Sequence, residues 1–154
     1  MIIRQFEKKD ASACCSIINA CITAMTHLDS PSRFYLLSKN VPSDFYNTIK
    51  DDYALVAELH GQIVAIGAIK DNEIHTVFVS PDYQGNGIGE ALMVSLEAEL
   101  QARGVKVIQV HTPAHSIAFY EQLGYTKRKT QSKINLTSVE LTKMSKRINK
   151  FAGV

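Results

Sequence analysis

The stretch "EIHTVFVSPDYQGNGIGEALM", Glu73 to Met93, constrains this chain more than any other. A β-prone segment stops at Pro81, a turn follows with glycine at 85, 87 and 89, and helical spacing begins at once. Ile88, Leu92, Leu96 and Leu100 fall on one helical stripe with Ala91 and Met93 near it, while Glu97, Glu99 and Arg103 lie largely off it. Gly104 is placed to cap the helix, and the β-prone "VKVIQVHT" comes next. Strand, helix and strand in this order predict a crossover with parallel pairing. A helix start leaves backbone N–H groups without partners and carries partial positive charge. Glycines there remove the side chains that keep an anion away from those groups. The turn therefore reads as a phosphate or pyrophosphate site, with a tight, closely packed strand-to-helix turn as the alternative.

The rest of the chain fills in a single domain. "MIIRQF", "YALVAEL" and "QIVAIGAIK" read as strands, the last two joined by a turn at His60-Gly61. Ile17, Ile18, Cys21, Ile22 and Met25 have helical spacing, with Asp10 or Ser12 as the N-cap. Residues 28–52 read as a loop with one short helix after Ser43 or Asp44. "HSIAFYEQLG" reads as a short helix and "INLTSVELTKMSK" as one long final strand. "KRK", Lys127 to Lys129, reads as a solvated turn or strand edge. The fold class expected is α/β: a mixed, mostly antiparallel sheet with a central parallel strand–helix–strand unit and helices on both faces. The domain spans 1–147, and 148–154 is a polar tail.

Charge and cysteine usage narrow the class. With 17 basic and 15 acidic residues among 154, the net charge of +2 is too balanced for nucleic acid to be the main partner. No stretch approaches a membrane span, and the N-terminus lacks the apolar core of a signal peptide. The three cysteines, Cys14, Cys15 and Cys21, fall within one predicted helix and read as reduced, which fits the cytoplasm. No metal-ligand spacing occurs.

Two nucleotide readings fail by eye. A P-loop needs Gly-Lys-Ser/Thr, and Gly89 is followed by Glu90 and Ala91. A dinucleotide fingerprint needs G-x-G-x-x-G and an acid closing the next strand, which here ends in His111-Thr112. Gln84-Gly85-Asn86-Gly87-Ile88-Gly89 instead matches Gln/Arg-x-x-Gly-x-Gly/Ala, and "HSIAFYEQLGYTK" follows at a fitting distance. On these two motifs the chain resembles the GCN5-related N-acetyltransferases. The likeness is clear from Tyr53 to Tyr125, and the first fifty residues match only in element order. Pro113 departs from the asparagine that many members carry before the short helix.

The resemblance implies a single N-acetyltransferase domain over 1–147 that takes acetyl-CoA as cosubstrate, without a metal. The pyrophosphate would meet Gln84, Gly85, Asn86, Gly87, Ile88, Gly89 and Glu90, and the pantetheine arm would pair along Val77, Phe78 and Val79. It implies Tyr120 as general acid and a base at or near Glu73, with His75 and His111 close by. The alternatives are a solvated strand end for Glu73, a satisfied strand histidine for His75, helix-capping or loop positions for His111 and His115, and an aromatic anchor for Tyr120. The acceptor is a primary amine of a small molecule or protein, selected by the first helices and the loop over residues 27–52, and a homodimer is a possible assembly. A non-catalytic acyl-CoA-binding sensor on the same fold is the competing function.

Overall fold

The sheet begins in space with three antiparallel strands, β1 (Ile2–Gln5), β2 (Tyr53–Leu59) and β3 (Gln62–Lys70). β4 (Glu73–Val79) pairs antiparallel with β3 and parallel with β5 (Val107–Thr112). β7 (Glu140–Arg147) and β6 (Thr126–Lys133) complete the order β1-β2-β3-β4-β5-β7-β6. This is a computed structural model; it describes residues 1–134 and 136–148, and only the backbone at 130 and 131. Of the tail expected at 148–154, residues 149–154 lie outside the described residues, and Ile148 N–H donates to Lys106 O (2.8 Å). Among the described residues, no helix is long and apolar enough to cross a membrane.

One face of the sheet carries α1 (Ala11–Ala24), α2 (Ser30–Lys39) and α3 (Pro42–Ile49). The other carries α4 (Ile88–Ala102) and α5 (Ile117–Gln122). The stripe read from the sequence is the buried one: Ile88, Leu92, Leu96 and Leu100 are at most 5% exposed. α4 comes close to the sheet at Gly67, where a Cβ would stand 2.8 Å from Leu96 Cδ1 and 3.2 Å from Leu92 Cδ2. On the opposite face Cys14, Cys15, Ile18 and Ile22 pack with Phe45, Ile49, Val56 and Ile66. The expected mixed sheet, its parallel crossover and the helices on both faces are all present.

Two expectations are corrected. Residues 30–39 form α2 where a loop was expected: Asp29 accepts from Ser32 N–H (2.8 Å), and Pro31 occupies the first turn, where a missing N–H costs nothing. "INLTSVELTKMSK" is a turn and then a strand starting at Glu140, and "TKRKTQSK" before it is the edge strand β6. An edge strand without an apolar face shows no alternation, and lysines at an edge discourage pairing with other chains. The hairpin at His60 (φ 51°) and Gly61 (φ 77°) is as expected, with both residues left-handed.

Asp10 stands at the head of α1, yet its carboxylate does not cap that helix. It accepts two bonds from Arg4 (2.8 and 2.9 Å) and one from Glu7 N–H (2.8 Å). The Arg4 guanidinium, and after it the Glu7 amide, hold this buried carboxyl below its ordinary range against the opposing effect of burial. A folded-state pKa below the unfolded value of about 3.9 gives stability that is complete above that pH and lost as pH falls through the folded value. Asp10→Asn should therefore lower stability by about 1.5–3 kcal/mol at pH 7. In urea denaturation the gap from wild type should narrow below about pH 4. A gap unchanged down to pH 2 would remove the charge from this account.

Candidate active site

The site is organised by a break in β4. Lys70↔Glu73 through Ala68↔His75 are in register with β3, and so are Ile66↔Phe78 and Ala65↔Val79. Between these runs Gly67 faces both Thr76 and Val77, which is a β-bulge. Thr76 takes φ 56°, a region costly for a β-branched residue. The bulge also resets which side chains face which core. Ile74 faces α4 before it, and Val77 and Val79 face α4 after it, whereas Phe78 packs on the α1–α3 side.

β4 and β5 meet at one register pair, Glu73↔Gln109. Gln109 N–H donates to Asn72 O (3.0 Å), and Asn72 Nδ2 donates to Val107 O (3.1 Å). Beyond this join, β4 has no ladder partner on its β5 side among the described residues. Val77, Phe78 and Val79 therefore border a split in the sheet. At its far end lies the glycine turn, with Gly85 (φ 80°) and Gly87 (φ 79°) left-handed and Gly87 at the N-cap of α4. The first helical bond runs from Ala91 N–H to Gly87 O (3.1 Å). Among the described residues, the amides of 85–90 have no acceptor, and a Cβ at Gly85 or Gly87 would meet nothing within 4 Å. Such a cradle fits a phosphate. Gln84 Nε2 donates to Val79 O (3.0 Å) and Asn86 Nδ2 to Tyr83 O (3.1 Å), so these two side chains brace the turn. Glu90 is exposed in the first turn of α4.

Titratable groups stand on both faces beside the split. His75, across from Ala68, lies on the α1–α3 face, and so does Glu73 two residues before it. On β5, Ile108 and Val110 enter the α4 core, so Gln109 and His111 face the other way. The structure pairs His111 Nδ1 with Glu73 Oε1, each side chain about one third accessible (33% and 34%). His111 thus ends a strand, as "VKVIQVHT" led one to expect, and its ring is held by a carboxylate where the alternative was a helix-capping or loop position. His75 is fully engaged: Nε2 meets Asp52 Oδ2 at 3.0 Å and Nδ1 meets Thr76 Oγ1 at 2.8 Å. His115 sits in the short turn Ala114–Ser116, behind Pro113.

Tyr120 lies on the α4 side, 7% exposed, between the rings of Phe119 (5.0 Å) and Tyr125 (5.7 Å). Burial pushes its phenol up to about 12, so it stays a proton donor at neutral pH. The hydroxyl has no partner among the described residues, and no sealed polar side-chain atom there lacks one, so the hydroxyl is open to solvent. Phe119 packs at Gly89 and near Val79, which brings α5 to the split. Tyr125 OH donates to Glu97 (2.6 Å), which also accepts from Lys146 (2.9 Å), tying the end of α5 to α4 and β7.

Across the α1–α3 side, a polar clasp joins α2 to the β6–β7 turn. Ser138 N–H donates to Ser32 Oγ (2.9 Å), Ser32 Oγ donates to Asp29 (2.9 Å), and the Ser138 hydroxyl donates to Asp29 as well. The Ser138 hydroxyl, then the Ser32 amide and hydroxyl, hold Asp29 at about 2. Sequence reasoning missed this clasp, the Glu73–His111 pair and the Glu97 network. Only Asp29-Ser30-Pro31-Ser32, a capping sequence, carried a local signal.

A mixed sheet split between β4 and β5, with amides at one end that have no acceptor among the described residues, defines the protein as α/β. Comparison with known proteins gives the family. The model of the acetyltransferase (GNAT) domain matches residues 30–148, more than half of the chain, and the chain belongs to that family. A glucosamine 6-phosphate N-acetyltransferase of Trypanosoma brucei brucei is 32% identical over 72 residues, 47% of this chain and 46% of that protein. A mycothiol acetyltransferase of an Arthrobacter strain is 35% identical over 71 residues, 44% of this chain and 20% of that protein. The chain spans less than half the length of these curated relatives. Among solved structures, a GCN5-related N-acetyltransferase from Rhodopseudomonas palustris superposes with TM-score 0.86 at 24% identity, over 96% of this chain and 95% of that one. An N-acetyltransferase from Thermoplasma acidophilum, solved in complex with coenzyme A, superposes with TM-score 0.78 at 15% identity, over 96% and 98%.

Proposed function

We propose that this chain is an acetyl-CoA-dependent N-acetyltransferase that moves an acetyl group directly to a primary amine of a small molecule or protein. The observation that carries this is the placement of a buried phenol and a carboxylate–imidazole pair on opposite faces of one split sheet. Family membership and the coenzyme A complex of a structural neighbour support the choice of cosubstrate. Acetyl-CoA supplies an activated thioester carbonyl. Val77, Phe78 and Val79 offer backbone groups to its amide-bearing arm, as a sheet edge takes a strand. The amides of 85–90 take its pyrophosphate, and a backbone N–H near Val77 polarises the carbonyl.

An amine ion must lose a proton before it can attack. Glu73 drives this loss, either directly, through water or through the imidazole that it holds. The C–N bond then forms and the C–S bond breaks. The sulfur gains a proton from Tyr120, the nitrogen gives up its second, and solvent restores the phenol, so one proton is released per turnover. The relatives are named for different acceptors, so the acceptor is sought directly. The free thiols of Cys14, Cys15 and Cys21 support a cytoplasmic setting.

The test is mass spectrometry on amines, polyamines, amino acids and peptides incubated with acetyl-CoA. Transfer to at least one is expected. Tight binding of CoA with no turnover on any acceptor would favour the sensor reading instead.

Acetyl-CoA should raise stability by roughly 2.7 kcal/mol at a hundredfold excess over its Kd. Gly87→Val should abolish most of that gain, because a branched residue is strained at φ 79° and its side chain enters the cradle. A folded Gly87→Val protein with an unchanged thermal shift would move the pyrophosphate elsewhere.

Tyr120→Phe keeps the ring packing and deletes the donor. Turnover should fall about 10²–10⁴-fold with acetyl-CoA affinity and Tm little changed. A wild-type rate, measured where chemistry limits turnover, would leave Tyr120 a packing residue.

Glu73→Gln should slow turnover most near pH 7, and activity should recover at high pH, where the amine sheds its proton unaided. An unchanged pH–rate profile would assign Glu73 to the solvated strand end.

A further inference from the structure

The Glu73–His111 pair stands at the join of β4 and β5. Glu73↔Gln109 is the parallel register, so His111, two residues on, lies level with His75 and the bulge, just ahead of Val77. A carboxylate only accepts, so the ring nitrogen that meets Glu73 Oε1, Nδ1, carries the hydrogen. In the neutral ring the lone pair is then on Nε2, which has no partner among the described residues. The ring is about one third accessible (33%), on the face opposite Tyr120. His75 is no rival, because both of its nitrogens are already bonded.

We infer that His111 Nε2 is the atom that takes the proton from the acceptor amine, and that Glu73 acts through it as the positioning residue. This rests on the acetyltransferase reading above and deepens it. The ammonium N–H breaks, the proton moves to Nε2 directly or over one water, and the nitrogen keeps the electron pair that attacks the carbonyl. The ring becomes an imidazolium, held by the Glu73 carboxylate through Nδ1–H, and returns the proton to solvent. The charged groups facing the pair are Lys70 on β3, across from Glu73, Lys143 on β7, across from His111, and Asp52 behind His75. Lys143 and Lys70 oppose a positive charge on the ring. The carboxylate offsets them, which is why the ring needs Glu73. Lys143 also disfavours a charged amine beside it, which helps the proton leave.

The experiment compares Glu73→Gln, His111→Asn and the double variant, using as acceptor the amine that turns over fastest in the panel above. Asparagine places an N–H near the position of Nδ1, so it keeps Glu73 partnered but cannot take the proton. We expect His111→Asn to lose about 10²-fold or more in kcat near pH 7, with KM little changed and the deficit shrinking above pH 9. The double variant should be no worse than the worse single one, because the two residues act as one unit. Nitrogen-15 spectra of the histidine rings in the ligand-free protein give a readout independent of turnover. His111 should show the Nδ1–H form, and that preference should be lost in Glu73→Gln. A wild-type rate and pH profile in His111→Asn, with Glu73→Gln still slow, would overturn the inference and leave Glu73 as a base acting alone. Unchanged rates in both would overturn the base assignment itself. An Nε2–H ring in the wild-type spectrum would overturn the inference whether or not the variants fold.

Discussion

One extra residue in β4 organises this molecule. Because Thr76 and Val77 share the single partner Gly67, β4 turns away from β5 after the Glu73↔Gln109 pair. The bulge costs backbone strain at Thr76 and leaves a strand edge without a ladder. In return it opens a split bordered by Val77, Phe78 and Val79. It also returns Val77 and Val79 to the α4 core, where unbroken alternation would have put Val77 on the opposite face.

The bulge is held in place by its surroundings. Gly67 lies opposite it on β3, and only a residue without a side chain lets Leu92 and Leu96 of α4 seat there. α4 therefore lies directly over the bulged strands, and its first turn, at Gly87 and Ile88, comes to the open end of the split. His75 clamps Thr76 Oγ1 with one nitrogen and Asp52 with the other, fixing the bulge from the α1–α3 side. Helix packing on one face and a polar clamp on the other both maintain the same strained strand.

Two further ties bring distant parts of the chain to the split. Glu97 on α4 joins Tyr125 and Lys146, which fixes the end of α5 and with it the Tyr120 ring. Asp29 and Ser32 join Ser138, which holds α2 to the β6–β7 turn. Both ties use polar side chains more than 25 residues apart in the chain. The Glu97 network keeps the phenol on one face, and the imidazole–carboxylate pair lies on the other.

By itself the sequence determined the parts that obey local rules. The stripe of α4, the His60-Gly61 hairpin, the crossover and the glycine turn all follow from side-chain period and backbone freedom over short spans. It also put Tyr120 on a short helix, with an aromatic anchor as one of its two readings. The edge strand β6 was hidden because "TKRKTQSK" has no apolar residue to show a period, and α2 because its capping aspartate preceded a proline that read as a breaker. Only the tertiary structure decided the bulge, since "EIHTVFV" alternates as well with it as without it. Only the tertiary structure separated the histidines: His75 and His111 look alike in sequence, yet one has both nitrogens engaged and the other keeps one free. That difference depends on Asp52, Thr76 and Glu73, whose positions are set by strand register and packing, and pairings over such separations leave no local period in the chain.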